Sequence, residues 1–461
     1  MVQLNENTYF LELSNSILTE MDNSTMLTVD NITSTIPINP HRGTKSVVEM
    51  VPWGENNNLP LQILEKSYKN VTIASNLGFN ATINYGDGLI VVKKNRNKET
   101  NQVELVELMP SDEPEIFDFL EANNVPGIIQ ELSQDIAVYG DSYVEFITNS
   151  NKKIASIRNK EMCYSRVSKM NMKGEIEWHL YSSQWSMQLQ PDDVVATKLI
   201  DRRCPLLSMK KYLGLAPLQD GNAKDSGYRR FCMSVAMPTP SRFYYNKPYW
   251  WSIFESGWYD FANAIPTFKK ALINNQIALK YHVQVNTSLW DKLYTSEHAV
   301  NDADKTSVKT KFLDQIDQFL SGGDNAGKSF VSQFEYDRAA NIEKSDVKID
   351  VIKSQIEGGE YLDDTEEVNN IICYAMGIHP SLIGATPGKN SNINGSEARE
   401  LFTIKQAITK PIRDMLLAPL YIVKRINHWN PDVFFYIPNI MLTTLDNGTG
   451  AIKSIGNQKI S

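Results

Sequence analysis

The sequence predicts an α+β fold, because strand patterns dominate residues 139–197 of the 461-residue chain and helical periodicity dominates its last third. Residues 139–197 are rich in strand-forming sequence, and Ile176, Trp178 and Leu180 show apolar alternation there. From residue 365 to residue 428, apolar residues instead recur at spacings of three and four. Strands early in the chain and long helices late in it are typical of this fold class.

The N-terminal part begins with a polar, Asn/Thr-rich stretch, which we interpret as an arm over residues 1–50. Helical and strand patterns then alternate up to residue 197. The predicted elements are helices over 61–84 and 127–138, and strands over 89–92, 139–146 and within 154–197.

An amphipathic helix is predicted from about residue 254, with a kink or a new start at Pro266. Its apolar face would pack into a core. Aromatic residues just before it, between Phe243 and Trp251, could stack on bases, but no basic residues are interleaved with them in a regular pattern. We therefore predict that they pack in the core or at a subunit interface.

The most informative stretch is a helix, a loop and a second helix between residues 363 and 427. An acidic start and apolar spacing predict the first helix over 365–376. Gly377 fits its C-terminal cap, and Pro380 blocks its continuation. The loop 384–396 is rich in Gly and Asn, which tolerate left-handed backbone, so we expect a hinged, moving part.

The second helix is predicted over 397–428, where Glu397 completes a capping box with Asn394. Pro411 and Pro419 are expected to bend this helix rather than end it. One helical face carries the apolar residues Ala398, Leu401, Ile404, Ile408, Ile412, Met415, Tyr421, Ile422 and Ile426.

Composition excludes several classes of protein. The four cysteines show no paired spacing, which argues against a disulfide framework or a zinc site and fits a reducing cytosol. A formal net charge of −8 argues against a protein that grips nucleic acid, although DNA could still pass through it. No secretion signal or membrane-spanning stretch is predicted.

One motif indicates a different function. Residues 322–329 read GGDNAGKS, which matches the G-x-x-x-x-G-K-[ST] pattern of phosphate-binding loops. Such a loop needs a strand before it and a helix after it, so that backbone N–H groups converge on phosphate. Here a helical pattern precedes the motif and strand-type residues follow it. The reversed order favours a structural loop.

No catalytic, cofactor-binding or metal-binding residues are predicted. The six histidines show no metal-ligand spacing, and His379 fits a half-buried turn residue beside Pro380 better than a catalytic base. The acidic cluster from Asp363 to Glu367 fits the dipole of a helix start better than a cation site.

The order of these parts resembles the portal proteins of tailed bacteriophages, the dodecameric DNA-packaging rings that connect head and tail. The hinge turn reads GIHPSLIG over 377–384, the second helix starts with NGSEA over 394–398, and Pro411 supplies the internal proline. Upstream, GDSYV at 140–144 matches the element after a portal wing helix. LGLAPL at 213–218 lies where portals start a helix, with alanine replacing the usual serine.

The resemblance implies a portal fold with a small or absent crown. Its expected parts are an N-terminal arm (1–50), an α/β wing (51–253), a stem helix (254–285), a helix-and-strand clip (286–350), a second stem helix (359–378), a tunnel loop (384–396), a long tunnel helix (397–428) and a C-terminal segment or small crown (429–461).

The resemblance also implies roles for individual residues. Lys389, the only charged residue of the loop, would become a belt of positive charge in a ring. The hinge turn would comprise Gly377, Pro380, Gly384 and Pro411. The residues expected to line the DNA channel are Lys389, Asn390, Ser391, Asn392 and Asn394.

The expected function is a ring, in this family usually of about twelve copies, through which double-stranded DNA is packaged and ejected. The implied partners are further copies of the chain, the terminase large subunit, the head–tail adaptor, the major capsid protein and non-specific double-stranded DNA, with no membrane. The ring would occupy a unique capsid vertex of the virion after assembly in the bacterial cytoplasm. It would catalyse nothing and need no cofactor.

Two other functions remain open from the sequence. One is a P-loop ATPase of a packaging motor, which would use Gly322–Ser329. The other is a different ring-forming virion component such as an adaptor. The length of this chain argues against an adaptor.

Overall fold

The computed structural model describes residues 2–5, 8–10, 34–41, 44–96, 103–185, 189–190, 192–215, 225–240, 244–278, 281–321, 334–337, 342–351, 360–383 and 395–440. The predicted α+β class is confirmed. The chain divides into two compact units, one formed by Met1–Asp260 with Glu366–Ser461 and the other by Phe261–Thr365. No helix in the described part of the chain is long and apolar enough to cross a lipid bilayer.

The helices are α1 (Leu59–Lys69), α2 (Val71–Tyr85), α3 (Pro114–Ala122), α4 (Val125–Tyr139), α5 (Pro205–Tyr212), α6 (Ser252–Glu255), α7 (Trp258–Ala278), α8 (Thr287–Ser296), α9 (Asp302–Ser321), α10 (Glu360–Ala375), α11 (Gly395–Leu416) and α12 (Ala418–Asn427). Short 3₁₀ helices occur at Met162–Tyr164, Tyr249–Trp251 and Pro380–Leu382.

The strands are β1 (Val2–Asn5), β2 (Thr8–Phe10), β3 (Ser34–His41), β4 (Thr44–Val51), β5 (Ile90–Arg96), β6 (Val103–Glu107), β7 (Asp141–Thr148), β8 (Ile154–Lys160), β9 (Ser165–Ser168), β10 (Trp178–Tyr181), β11 (Val195–Leu199), β12 (Arg230–Ala236), β13 (Tyr281–Val285), β14 (Phe334–Asp337), β15 (Ile342–Ser345), β16 (Val347–Val351) and β17 (Val433–Tyr436).

The first unit is built on an eight-stranded sheet with the order β3-β4-β9-β10-β11-β12-β7-β8. All of its pairings are antiparallel except β11 with β12. Strands β3 and β11 touch although three strands separate them in the sheet order, so the sheet curls. A small apolar cluster that includes Ile36, Ile38 and Leu180 fills the space between these strands.

The main core lies between one face of the sheet and the helices α4 and α12. Val144 and Phe146 of β7 lie on either side of Glu145 in sequence and join Phe231 of β12 in this core. Alternate side chains of a strand point to opposite faces, so the neighbouring residues of β7 face the other way.

That opposite face of the sheet is polar but also buried. Glu145 has no exposed side-chain surface and pairs with Arg230 at 2.9 Å and with Lys160 at 3.6 Å. His179 is fully buried, and its Nε2 lies 2.9 Å from Ser165 Oγ. Burial lowers the pKa of His179 to about 3, so this histidine is a neutral part of the packed interior.

Several predicted elements differ from the structure at their boundaries. Strands β3 and β4, all but the last residue of which falls in the predicted arm over 1–50, instead pair at the edge of the large sheet, where Ile36 and Ile38 are buried. A polar stretch can therefore form a strand when its few apolar residues are buried against a neighbouring element.

The predicted helix over 61–84 is two helices in the structure. They are separate because Asn70 caps α2 by accepting a hydrogen bond from Ile73 N–H.

The C-terminal third also differs in detail. The predicted helix over 397–428 is divided at Leu417 into α11 and α12, and Pro419 lies in the first turn of α12, where its missing N–H costs nothing. β17 pairs with β5, so residues 433–436 belong to a three-stranded sheet with β6. The predicted helix start at 213–218 follows the end of α5 at Tyr212, and residues 216–218 lie outside the described residues.

The second unit contains α8, α9 and two two-stranded sheets, β13 with β16 and β14 with β15. Helix α9 ends at Ser321, directly before the phosphate-loop motif, and the next described element is strand β14 from Phe334. The motif itself, residues 322–329, lies outside the described residues. The helix predicted before the motif is confirmed.

Asp135 at the end of α4 gives a stability test for the first unit. Its Oδ2 accepts hydrogen bonds from Ser142 Oγ at 2.9 Å and from Met162 N–H at 3.0 Å. Burial, with a smaller contribution from the charge of Glu161, raises the pKa of Asp135 from 3.8 to about 7. The folded state therefore binds more protons than the unfolded state between these pH values, and stability falls as pH rises through this window.

We expect Asp135→Asn to remove that fall, because an amide cannot ionise yet can accept the same hydrogen bonds. Between pH 5 and pH 8, the variant should gain about 1–3 kcal/mol in unfolding free energy relative to the wild type. Urea unfolding at the two pH values measures the difference. Parallel pH profiles for the two proteins would contradict a carboxyl group held protonated.

Candidate functional site

The candidate site is the junction between α10 and α11, where the sequence places the hinge turn and the loop. Gly377, Pro380 and Pro411 lie within the described residues. Gly384 and the predicted channel residues, Lys389, Asn390, Ser391, Asn392 and Asn394, lie outside them. What the structure supplies is the framework on both sides of the loop.

Gly377 ends α10 in the way the sequence predicts. Its φ is +64°, a left-handed conformation that favours glycine. Its N–H donates to the Tyr374 carbonyl oxygen at 3.0 Å, and Ile378 N–H donates to the Cys373 carbonyl oxygen at 2.9 Å. This pair of bonds is a Schellman motif, and the burial of Ile378 supplies its apolar contact. The predicted C-terminal cap is confirmed.

The turn after Gly377 is set by His379 and Pro380. His379 precedes the short 3₁₀ helix Pro380–Leu382, and its Nδ1 accepts a hydrogen bond from Ser381 N–H at 3.3 Å. The His379 side chain is exposed rather than half-buried as predicted. In the structure its side chain caps the short 3₁₀ helix.

Helix α10 is fastened to α2 by polar side chains at one face of α2. Thr72 Oγ1 donates to Asn369 Oδ1 at 2.7 Å. Asn80 Nδ2 donates to the Met376 carbonyl oxygen at 3.2 Å, and Asn76 Nδ2 lies 3.5 Å from Cys373 Sγ. Residues four apart share one side of a helix, so these contacts form a row along the α2–α10 seam. The end of α10 therefore has a fixed position in the first unit.

The helix after the loop, α11, buries a polar face. Lys405, Gln406, Thr409 and Arg413 are each less than a tenth exposed. Lys405 Nζ donates to the Gly377 carbonyl oxygen at 2.9 Å, which ties α11 directly to the turn that ends α10. The two helices that flank the loop are thus joined to each other by a buried hydrogen bond.

Two further contacts hold α11. Arg413 Nη2 donates to the Ile83 carbonyl oxygen of α2 at 2.7 Å, and Nη1 donates to Asn439 Oδ1. Gln406 makes a two-way contact with Ile440, in which the amide donates to the carbonyl oxygen at 3.0 Å and accepts from the N–H at 2.7 Å. Helix α2 is therefore the common support of both α10 and α11.

The buried cations at this junction carry an electrostatic cost. Burial lowers the pKa of Lys405 to about 8 and lowers the pKa of Arg413 from its usual range. Within the described residues neither side chain forms an ion pair with a carboxylate. Their hydrogen bonds to carbonyl oxygens offset part of the cost of burying charge.

The opposite face of α11 is apolar and exposed. Ile404 and Ile408 are 59% and 58% exposed, and Leu401 is partly exposed. Farther along, Ile412 and Met415 pack against the main core. The apolar face marked out by the sequence therefore divides, with its N-terminal part turned to the surface. Helix α11 continues through Pro411, as predicted.

Sequence reasoning missed the residues that form the framework. It did not single out Thr72, Asn76 or Asn80, although uncharged polar residues at four-residue spacing along one face of a predicted helix are a recognisable signal. It also missed Lys405 and Arg413. Their spacing of eight residues puts them on one face of the helix with Gln406 and Thr409. From sequence alone, a face made of charged and polar residues is predicted to lie at the surface.

The aromatic cluster before α7 is part of the interior, as predicted. Tyr245 stacks on Trp53 with ring centroids 4.6 Å apart. Trp250 Nε1 and Trp251 Nε1 donate to the carbonyl oxygens of Ala137 and Val138, each at 3.1 Å. Tyr249 is exposed, and Phe243 lies outside the described residues.

Within the described residues, the His, Cys, Asp and Glu side chains form no group of three that could hold a metal ion.

The buried lysine gives a pH-dependent test of the framework. The pKa of Lys405 is about 8 in the folded protein and 10.5 without burial, so the unfolded state binds more protons between these values. This group therefore makes stability rise with pH from about 8 to 10.5. We expect Lys405→Met to lose this rise, about 1–2 kcal/mol between pH 8 and pH 10 relative to the wild type.

Chemical unfolding at several pH values measures this effect. Lys410→Met serves as the matched control, since it removes a lysine of the same helix whose side chain is 68% exposed. If Lys405→Met and Lys410→Met gave the same pH profile, the buried amine would not be the source of the rise.

Neither a protein-family model nor a curated protein matches the sequence. Solved structures do share the fold. A chain in the virion of the native gene transfer agent (GTA) particle matches with a TM-score of 0.51 and 12% identity, over 82% of this chain and 82% of that one. A chain in the neck of the empty GTA particle, computed with C6 symmetry, matches at the same TM-score and identity over 82% and 84% of the two chains.

A chain in the neck of the native GTA particle, computed with C12 symmetry, also has a TM-score of 0.51 and 12% identity, with 82% of each chain covered. At this identity the likeness shows a shared fold. The resemblance to a connector protein, drawn from the sequence motifs, is thereby confirmed at the level of the fold.

Proposed function

We propose that this chain is a portal protein, which forms a ring around double-stranded DNA at one vertex of a phage-like particle. The observation that carries the proposal is the fold shared with neck chains over 82% of this chain. Those neck structures were computed with C6 and C12 symmetry. Rotational symmetry of this kind is the property of a closed ring of identical subunits.

In this proposal the parts of the chain take the roles that the sequence motifs imply. Strands β7 to β12 of the large sheet and the helix α4 packed on it belong to the wing, and the second compact unit contains the clip. The assignments are the wing at 51–253, the stem helix at 254–285, the clip at 286–350, the second stem helix at 359–378, the tunnel loop at 384–396 and the tunnel helix at 397–428.

The junction of α10 and α11 suits a loop that moves against DNA. Both flanking helices are tied to α2, and Lys405 joins α11 to the turn at Gly377. With both ends held, the loop can change conformation without loosening the subunit. Lys389, repeated around the ring, then makes brief contacts with phosphates, while Asn and Ser side chains add hydrogen bonds that carry no sequence preference.

The charge of the chain supports sliding rather than gripping. Each phosphate that a protein neutralises strengthens its binding to DNA, so a strongly basic channel would slow translocation. A chain with a net charge of −8 and a single lysine in the loop avoids this. The proposed portal catalyses nothing, and a separate terminase motor supplies the energy for packaging at the clip. A head–tail adaptor later takes that surface, and the major capsid protein surrounds the wing.

The first expected result concerns the assembly. Native mass spectrometry and electron-microscope class averages should give a closed ring of about twelve subunits, with a hole wide enough for a DNA duplex. ATP binding is measured on the same sample, because residues 322–329 match a phosphate-binding loop. A monomer that binds and hydrolyses ATP, and loses both activities in Lys328→Ala, would overturn the proposal in favour of a motor ATPase.

The second expected result concerns the loop. Lys389→Glu should reduce DNA packaging or retention by about tenfold or more, because a belt of positive charge becomes negative, while ring assembly stays intact. Packaged DNA per particle and ring mass are the two measurements. Lys173→Glu is the matched control, since it makes the same charge change at an exposed turn of the wing. Equal packaging in both variants would remove Lys389 from the mechanism.

A further inference from the structure

The exposed apolar face of α11 requires an explanation in the assembled protein. A surface helix ordinarily turns its polar face to water and its apolar face to the core. In the middle of α11 the arrangement differs, because Lys405, Gln406 and Thr409 face inward while Ile404 and Ile408 face outward. An apolar stripe that the subunit itself leaves uncovered marks a contact surface.

A second surface of the same unit has unusual composition. Helix α2 contains no charged residue, although Val71, Ser75, Gly78 and Thr82 form an exposed stripe along it. These positions are spaced by four, three and four residues, so they lie on one face. Val71 is 81% exposed. The middle of this stripe is open to a close approach, since a Cβ added at Gly78 would meet nothing within 4 Å.

The two faces are complementary in shape and in charge. Bulky isoleucines on α11 match small side chains on α2, where another helix could approach closely. Beside the apolar stripe, the first turns of α11 carry the exposed acids Glu397 and Glu400. Beside the α2 stripe lies exposed Lys69 in the last turn of α1. Acid and base each lie toward the N-terminal end of their stripe, which favours a parallel arrangement of the two helices.

We propose that α11 of one subunit packs on α2 of the next copy of the same chain, with Ile404 and Ile408 against the Val71–Thr82 stripe and Glu400 near Lys69 of that copy. The contact is heterologous, because it joins two different faces, and such contacts generate rings when the rotation closes. This inference rests on the proposed ring and adds which faces form it.

The interface also links assembly to the loop. Helix α2 supports both α10 and α11 within one subunit, through Asn80 and Arg413 respectively. If its outer face receives α11 of a neighbour, each α2 contacts the loop-bearing helices of two subunits. A movement of the loop in one subunit would then displace the helices that support the loop in the next subunit.

Disulfide cross-linking tests the proposed pair of faces. The exposed Cys204 is first replaced by serine; the other cysteines are buried. Gly78→Cys and Ile408→Cys, each as a single variant, are then mixed, assembled and oxidised. We expect cross-linked dimers in the mixture, no dimers from either variant alone, and a ladder of larger species from the double variant. Thr403→Cys, exposed on another side of α11, replaces Ile408→Cys as the matched control and should give no dimers.

The outcomes separate this inference from the proposed function. A ring that forms without a 78–408 cross-link overturns the inference and leaves the portal proposal standing. Dimers from a single-cysteine variant would indicate a symmetric contact and also overturn it. If no ring and no cross-link form under any condition, the proposed function fails together with the inference. If the thiol of Ile408→Cys is protected in the monomer and becomes reactive after truncation at Ile440, the chain itself covers α11, and the inference is overturned.

Gly78→Arg gives a second, independent variant. The added side chain has open space in the monomer and a better helix propensity than glycine, so the subunit should fold with an unfolding midpoint no lower than that of the wild type. Ring formation should fall at least tenfold, because the arginine blocks close approach of the neighbouring helix. Unchanged rings would count against the proposed interface.

Discussion

The need to give buried polar groups a partner determines the orientation of α11, and much of the junction depends on that orientation. Lys405, Gln406 and Arg413 all lie inside the fold, where an unpaired amine, amide or guanidinium is costly. Each finds a backbone partner, at Gly377, Ile440 and Ile83. A rotation of α11 that buried its isoleucines would break all three contacts at once.

This constraint also fixes the framework on both sides of residues 384–394. Helix α2 is packed on α4 and fastened to α10 and α11, so it acts as a rigid support. The two helices that flank residues 384–394 are both held by that support. The same orientation turns Ile404 and Ile408 outward, which makes an apolar surface available to a neighbouring copy. Anchoring of the loop and the proposed assembly thus have one structural cause.

The sequence predicted those features that depend on local chemistry. Gly377 was identifiable as a helix end because few other residues adopt its left-handed conformation at no cost. The aromatic residues Trp250 and Trp251 were assigned to the interior because large rings are strongly stabilised by burial. The arm over residues 1–50 was assigned from its polar composition, whereas β3 and β4 form because a sheet edge is available to pair with them.

The sequence by itself determined the α+β class, the helix, turn and helix order around Gly377, and the motifs that indicate a connector fold. These follow from periodicity and backbone preference, which act over a few residues. Only the tertiary structure decided which face of α11 is buried. Periodicity shows that Ile404 and Ile408 share a face, but whether that face is covered depends on partners at Gly377, Ile83 and Ile440. Those partners are distant in sequence and meet α11 only when the chain folds.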